Sequence, residues 1–328
     1  MKVKITGASN WVNRMFEACG NYQWAREFLK NSLEAGAKRV EFGIEWEAVS
    51  KFGVYRRMIA DNGCGMSREE LVRYFSTLGE GKKPIGGIHD NFGVGAKIAA
   101  LPWNPDGLVV LSFKDGAASM IKIVLDPESG DYELVEFENE DHRRSCILDP
   151  TDESIDWQDE INWGMVAPEW TREHGTVVVL MGNDEMPDTV LGNIHANEAD
   201  IKGLSVYLNT RFWDLAPYEI FVVELRSERK NSWPSGPNDR DDRRRPNNRR
   251  IMGAHHFVEH VRAEDGALAS KGTILLDQER VIADWYLWKG ERPAIHSYAK
   301  KQGYVAIRYG NELFELTTSK PTFRSLVL

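Results

Sequence analysis

YRRMIADNGCGMSREELVRYF, residues 55–75, joins an apolar run to a helical pattern through one tight turn. The apolar run is typical of a strand that ends at Asp61. Ser67, with Glu70 three residues later, forms a capping box that predicts the start of a helix. The turn between them holds Asp61, Gly63 and Gly65. Asp-Asn-Gly is ordinary turn chemistry, so the rest of the chain must decide between a plain turn and a ligand site.

The composition favours a soluble globular protein. The 328 residues leave room for two domains, with 42% hydrophobic and 28% charged residues. No apolar run approaches a membrane span, and the N-terminus lacks a secretory h-region. The three cysteines, Cys19, Cys64 and Cys146, form neither a disulfide framework nor a metal cluster. We therefore expect a cytoplasmic protein without a membrane partner. The net charge of -9 argues against nucleic-acid binding by the whole surface, although a local basic patch stays open.

The residues before the turn predict a helix over 22–36 and a strand over 37–49. The apolar residues of the first segment recur at helical spacing, at Trp24, Phe28, Leu29 and Leu33. Those of the second segment alternate, at Val40, Phe42, Ile44 and Trp46. The turn is therefore expected to follow a helix and two strands.

The residues after the turn predict a glycine-rich loop, a helix and a series of strands. The loop begins at Gly79, and the helix begins at Gly95 and stops at Pro102. Strands are expected over 107–116, 119–126, 132–138 and 175–182, and a helix over 201–215. The acidic segment 141–173 receives no assignment. Near the end, 272–290 and 303–316 predict paired strands.

An arginine-rich segment, 226–250, separates two parts of the chain. It is poor in apolar residues and predicts a flexible linker or loop. The alternative is an arm that contacts phosphates, although Asp239, Asp241 and Asp242 partly neutralise its arginines. We accordingly expect an N-terminal domain over 1–225 and a smaller domain over 251–328. The closing residues, RSLVL, lead us to expect that the chain continues into something longer.

The helix over 22–36 carries oxygen-bearing side chains on one face. Glu27, Asn31 and Glu34 lie at i, i+4 and i+7. An ordinary solvated face is one interpretation. The other is a site for Mg²⁺, which prefers oxygen ligands, beside a carboxylate that could deprotonate a water next to a metal-held triphosphate.

The glycine-rich stretch offers an anion site. Gly93 and Gly95 precede a predicted helix N-terminus, where backbone N–H groups and the helix dipole favour anions. Lys97 adds a positive charge in the first turn. The stretch matches neither the phosphate loop of P-loop proteins nor the glycine pattern of dinucleotide-binding folds.

Four segments in order, EFLKNSLEA, DNGCGM, IHDNFGVGAKIAA and HGTVVVL, resemble the successive boxes of the GHKL ATPases. This Bergerat-fold superfamily includes gyrase, the ninety-kilodalton heat-shock chaperones, MutL, histidine kinases and MORC proteins. The chain looks nearest to the MORC, chaperone and MutL members. The resemblance implies an α+β fold: a Bergerat ATPase sandwich, with a mixed sheet and helices on one face, and then a smaller transducer-like α+β domain.

The resemblance also implies roles at the phosphate end of a nucleotide site. Glu27 matches the general base, and Asn31 matches the Mg²⁺ ligand. Glu34 stands where many members have Asp, and Ala96 where chaperones and MORC proteins often carry Phe. The lid and helix end that close over the phosphates would include Gly93, Val94, Gly95 and Lys97.

At the base end, the resemblance implies that Asp61 accepts the adenine amino group. Gly63 and Gly65 would let the backbone approach the base, and Met66 would border it. Thr176 would complete a network of Asp61, water and adenine. A transducer lysine often reaches the γ-phosphate, and the candidates here are Lys289, Lys300 and Lys301.

These implications predict a Mg²⁺-dependent ATPase. We expect the lid, about 79–95, to close on ATP and to drive homodimerisation, with DNA or a protein as the target. A nucleotide-binding scaffold with negligible hydrolysis is the alternative, and a domain that binds no nucleotide is a third interpretation.

Overall fold

The computed structural model of the chain describes residues 4–5, 20, 22–76, 95–138, 144–157, 160–190, 203–225, 227–239, 244–260, 268–276, 281–288 and 305–317. The chain divides into two compact units. The first comprises 1–201 and 221–249, and the second comprises 202–220 and 250–328.

Six helices and fifteen strands are described in these ranges. The helices are α1 (Gln23–Glu34), α2 (Trp46–Phe52), α3 (Arg68–Ser76), α4 (Gly95–Ala100), α5 (Trp163–Val166) and α6 (Gly203–Arg211). The strands are β1 (Lys4–Ile5), β2 (Arg39–Glu45), β3 (Arg56–Asp61), β4 (Leu108–Lys114), β5 (Ala117–Leu125), β6 (Tyr132–Leu134), β7 (Phe137–Glu138), β8 (Arg144–Ser145), β9 (Gly175–Leu180), β10 (Glu219–Glu224), β11 (Asn247–Arg250), β12 (Leu268–Leu276), β13 (Val281–Trp288), β14 (Val305–Tyr309) and β15 (Glu312–Thr317). None of the described helices has the length and apolarity needed to cross a membrane.

One large sheet organises the first unit. Its strand order is β1-β6-β5-β4-β9-β3-β2-β10-β11. β9 lies between β3 and β4 and pairs antiparallel with both, so a strand distant in sequence joins the two. This sheet, with helices packed against it, confirms the α+β class.

The first face of the sheet packs against α1. Residues in register across the central strands share this face and are buried: Phe42, Ile59, Val178, Val110 and Ile121. Trp24 of α1 meets Phe42 edge-on at 6.1 Å between ring centroids. Because α1 buries only one side, its apolar residues recur every three or four positions, as the sequence predicted.

The second face is covered by short helices. Met58, Val109 and Val179 form a buried cluster with Ala48 of α2 and Trp163 of α5. α5 belongs to the acidic segment 141–173, for which the sequence predicted no structure. Lys51 of α2 also donates a hydrogen bond to the Trp157 carbonyl, at 2.8 Å. The sequence predicted helices on one face of the sheet, and the structure places short helices on the other face as well.

Two local predictions were wrong, and one strand was missed. The strand expected over 37–49 ends at Glu45, because the Glu45 carboxylate caps α2 by accepting a hydrogen bond from the Ala48 N–H at 2.9 Å. Gly53, at φ +66°, then ends α2. The single strand expected over 132–138 is split into β6 and β7, and the sequence analysis did not identify β10.

The arginine-rich segment includes packed residues. Trp233 is buried and meets Tyr55 edge-on at 4.8 Å between ring centroids. The Tyr55 hydroxyl donates to the Pro234 carbonyl at 2.7 Å. β11 lies at the edge of the large sheet. The domain boundaries at 225 and 250 stay predictions.

The second unit contains α6 and two hairpins. β12 pairs with β13 and β14 with β15, which confirms the paired strands predicted near the end of the chain. Arg211 of α6 donates to the Leu313 carbonyl at 2.9 Å and forms an ion pair with Glu312 at 3.3 Å. These contacts hold α6 against β15, while the assignment of this unit as a transducer domain stays a prediction.

Candidate functional site

Asp61 is a buried carboxylate at the end of β3. Its exposed fraction is 7%. The Ser32 hydroxyl of α1 donates to Asp61 Oδ2 at 2.9 Å, and the Gly63 N–H donates to Oδ1 at 2.8 Å. Thr176 of β9 is its register partner. The end of the sheet therefore presents an anchored acceptor toward α1.

Burial sets the ionisation of this carboxyl. Loss of solvation raises the pKa of Asp61 above its ordinary value of 3.8. Hydrogen bonds from the Gly63 N–H, the Ser32 hydroxyl and the Thr176 backbone lower the pKa in part. The fold thus maintains a costly acceptor, which is typical of a site that recognises a ligand donor.

The loop after Asp61 is packed closely on protein backbone. A side chain at Gly65, where φ is +60°, would place its Cβ 1.9 Å from the Phe113 carbonyl oxygen. A Cβ at Gly63 would lie 2.8 Å from the Ala35 Cβ. Asn62 Oδ1 accepts hydrogen bonds from the backbone N–H groups of Lys38 and Arg39. The two glycines are therefore required by the packing of the loop itself.

Glu27 is the second buried carboxylate, one helical turn before Asn31. Its exposed fraction is 5%. Gln23 donates to Glu27 Oε1 at 2.8 Å, and Arg26 forms an ion pair with the same oxygen. A Cβ at Gly95 would lie 2.3 Å from Glu27 Oε2, so the start of α4 rests directly on the carboxylate.

The other residues that the sequence proposed have different surroundings. Asn31 is half-buried, whereas Glu34 is exposed and lies 3.8 Å from the Lys30 ammonium group. Lys97 is buried and donates to the Tyr74 carbonyl at the end of α3, over the Phe75 ring. Outside the described residues lie Gly93, Val94, Lys289, Lys300 and Lys301.

A family model covers the part of the chain that carries both carboxylates. Residues 25–146 match the model described as histidine kinase-, DNA gyrase B- and HSP90-like ATPase. The match places residues 25–146 with the GHKL ATPases, as the four segments predicted. It supports ATP binding by the first unit.

The comparison with solved structures gives a likeness to the 43K ATPase domain of Thermus thermophilus gyrase B, crystallised with an aminocoumarin. The TM-score is 0.40 and the sequence identity is 15%, over 82% of this chain. This chain spans 58% of that gyrase B chain. A comparison with curated proteins gives no significant match.

The donor set of the candidate site suits Mg²⁺ bound together with a nucleotide. The described residues contain no group of three or more His, Cys, Asp or Glu side chains that could hold a metal. Mg²⁺ often takes only one or two protein oxygens and completes its shell with phosphates and waters. The Asn31 carboxamide, one turn from Glu27, fits that requirement.

Three residues of the candidate site were not assigned by the sequence analysis. Ser32 binds Asp61 directly. Ser112 of β4 accepts a hydrogen bond from the Met66 N–H at 2.7 Å, and His174 Nδ1 lies 2.9 Å from the Gly63 carbonyl oxygen. A polar Ser112 within the apolar run of β4 was an available signal. His174 opens the segment HGTVVVL, but its contact joins residues more than a hundred positions apart, so no local spacing predicts it.

Proposed function

We propose that this chain binds Mg²⁺ and ATP beside α1 and hydrolyses ATP, with Glu27 as the general base. The observation that carries the proposal is the pair of buried carboxylates beside this one helix. Glu27 meets the start of α4, and Asp61 meets Ser32 five residues further along α1. Two buried acids are expensive for a fold to maintain without a task.

Asp61 is suited to recognise the base. Its carboxylate accepts from Ser32 and Gly63 and has further lone pairs for the exocyclic amino group of adenine. A buried acceptor that a ligand leaves unpaired costs about 1–3 kcal/mol. The same geometry therefore disfavours a base that offers no donor at this position.

Glu27 is suited to take a proton from the attacking water. Gln23 and Arg26 orient the carboxylate from its own helix, and the backbone at Gly95 leaves room for it. Asn31 would hold Mg²⁺, which neutralises phosphate charge when bound. A base at this position abstracts the proton once the γ-phosphate lies within reach.

The wider cycle follows the family. We propose that the lid, about 79–95, closes over ATP, that closure brings two copies of the chain together, and that the dimer acts on DNA or a protein. A scaffold that binds ATP without appreciable hydrolysis is the second candidate. The Arg26–Glu27 ion pair favours it, because this contact occupies one oxygen of the base.

The test compares ATP turnover and ATP binding in the wild type, Glu27→Ala and Glu27→Gln. A general base contributes about 10²- to 10⁴-fold, so turnover should fall by at least about 100-fold while ATP still binds. Asp115→Asn, which changes an exposed carboxylate outside this helix, is the control for charge.

Two outcomes contradict the proposal in different ways. If wild type and Glu27→Ala bind ATP and turn over equally slowly, the scaffold function stands in place of hydrolysis. If the wild type binds no ATP, the nucleotide function itself is wrong.

A further inference from the structure

His174 and Ser112, to which the sequence analysis assigned no role, hold the loop 62–66 in place. His174, just before β9, approaches the Gly63 carbonyl oxygen at 2.9 Å. Because a carbonyl oxygen only accepts, His174 Nδ1 carries the proton in this contact. Ser112 accepts from the Met66 N–H at 2.7 Å and donates to the Gly175 carbonyl at 3.3 Å.

We propose that His174 and Ser112 are positioning residues that set the affinity of the site for adenine nucleotides. The inference rests on the proposed function and deepens it, because it names residues that act on the base through the loop 62–66. Neither side chain needs to touch the nucleotide, since each acts through the backbone of the loop.

The peptide between Gly63 and Cys64 shows how His174 would act. Its carbonyl is bound by His174, and its N–H donates to the Ala35 carbonyl at 3.0 Å. Both ends of this peptide plane are therefore fixed. This anchoring keeps the Gly63 N–H directed at Asp61 Oδ1, at 2.8 Å. Loss of the His174 contact releases one end of the plane and so loosens the orientation of Asp61.

Ser112 fixes the other end of the loop. It is fully buried, and its single hydroxyl joins Met66 to Gly175. Gly65 lies directly against the neighbouring Phe113 carbonyl, so the loop has little freedom to move toward β4. Removal of the hydroxyl leaves the partly buried Met66 N–H without this acceptor, and the border of the base pocket is then free to shift.

Both contacts lie at the base end of the site. Glu27 and the start of α4 lie at the other end, earlier on α1. We therefore expect the affinity for ATP to change while the rate of hydrolysis at saturating ATP does not. A general loss of structure would instead lower both quantities.

The experiment measures the affinity for a non-hydrolysable ATP analogue by calorimetry, with KM, kcat and the melting temperature of each variant. His174→Ala and Ser112→Ala should each weaken binding about two- to ten-fold, the range expected for one neutral hydrogen bond. His174→Asn should restore most of the affinity, because the Asn amide can place a donor near the position of Nδ1. kcat should stay within about two-fold.

Ser119→Ala is the matched control for Ser112→Ala. Ser119 is the register partner of Ser112 on β5 and is also buried, but it makes no hydrogen bond to the loop among the described residues. This variant removes an equivalent hydroxyl group from the neighbouring strand, further from the base. We expect unchanged ATP affinity.

The outcomes separate this inference from the proposed function. Wild-type affinity in both His174→Ala and Ser112→Ala overturns the inference alone, as does an equal loss in His174→Asn and His174→Ala. If Ser112→Ala fails to fold, the exposed His174 decides the result through its two variants. A wild type that binds no ATP analogue overturns the proposed function and this inference with it.

Discussion

Burial of the Asp61 carboxyl lowers the stability of the folded protein, and the same burial suits Asp61 to the proposed recognition of the base. Its pKa is raised by burial above 3.8, so the folded protein holds this proton more tightly than the unfolded chain does. Below that ordinary value both states are protonated and the carboxyl costs nothing. As the pH rises through the raised pKa, the charged form must be buried, and the free energy of unfolding falls.

Asp61→Asn should therefore stabilise the protein and weaken ATP binding. An Asn side chain can accept from the Gly63 N–H and donate to the Ser32 hydroxyl, so these two contacts survive. The melting temperature should match the wild type below pH 3.8 and exceed it as the pH rises through the raised pKa of Asp61. The affinity for ATP should fall about ten-fold or more, because a hydrogen bond to a charged acceptor is lost.

The control for this prediction is Asp115→Asn, which changes an exposed carboxylate and should alter neither quantity. Unchanged ATP affinity in Asp61→Asn would contradict the base-recognition role and would favour a domain that binds no nucleotide. A melting temperature that falls at neutral pH would contradict the argument from burial.

At the scale of elements, one arginine joins several strands of the sheet. Arg57 of β3 is almost fully buried and donates to the carbonyls of Phe42, Gly43 and Val223, at 2.7, 3.2 and 2.9 Å. It also donates to the Val190 carbonyl. Burial lowers the pKa of Arg57 to about 10, although the nearby Glu224 opposes the shift. The guanidinium thus connects β2 and β10 through β3.

Arg57→Met should lower the free energy of unfolding by about 3 kcal/mol or more, because each buried carbonyl left without a donor costs about 1–3 kcal/mol. Arg57→Lys should rescue little, since one ammonium group cannot reproduce the fork of the guanidinium. Urea denaturation measures both. Arg144→Met is the control, because its exposed pair with Glu138 is worth about 0–1 kcal/mol. Equal effects at the two positions would contradict a joining role for Arg57.

At the scale of the whole molecule, the proposed cycle predicts a change of mass in solution. The chain has a mass of 37.3 kDa, and a saturating non-hydrolysable ATP analogue should shift it toward twice that value. Glu27→Ala should form the same dimer with ATP, because it binds the nucleotide and does not hydrolyse it. Light scattering with and without the analogue measures the shift.

The control variant is Asp61→Asn, which should stay a monomer at concentrations of the ATP analogue that turn the wild type into a dimer. A wild type that keeps the monomer mass at saturation would contradict ATP-driven dimerisation. It would leave the assignment of ATP hydrolysis untouched, since turnover is measured separately.

Much of the local structure was predictable because it depends on neighbours in the chain. The periodicity of α1, the apolar run of β9 and the capping box at Ser67 are local signals, and the structure confirms these elements, with Ser67 and Glu70 in reciprocal contact. α2 was missed because Trp46 extended the alternation of the preceding strand. Only the buried Glu45, acting as a cap, reveals that the chain turns there.

From the sequence alone came the α+β class, the resemblance to the GHKL ATPases and the two carboxylates to examine, because these depend on residue types in a fixed order. Only the tertiary structure decided which groups meet. β9 enters between β3 and β4 and brings Thr176 beside Asp61 and His174 onto Gly63. Packing likewise moved the Lys97 ammonium group to the Tyr74 carbonyl and required Gly65 to be without a side chain. Such contacts join distant positions, and no local spacing encodes them.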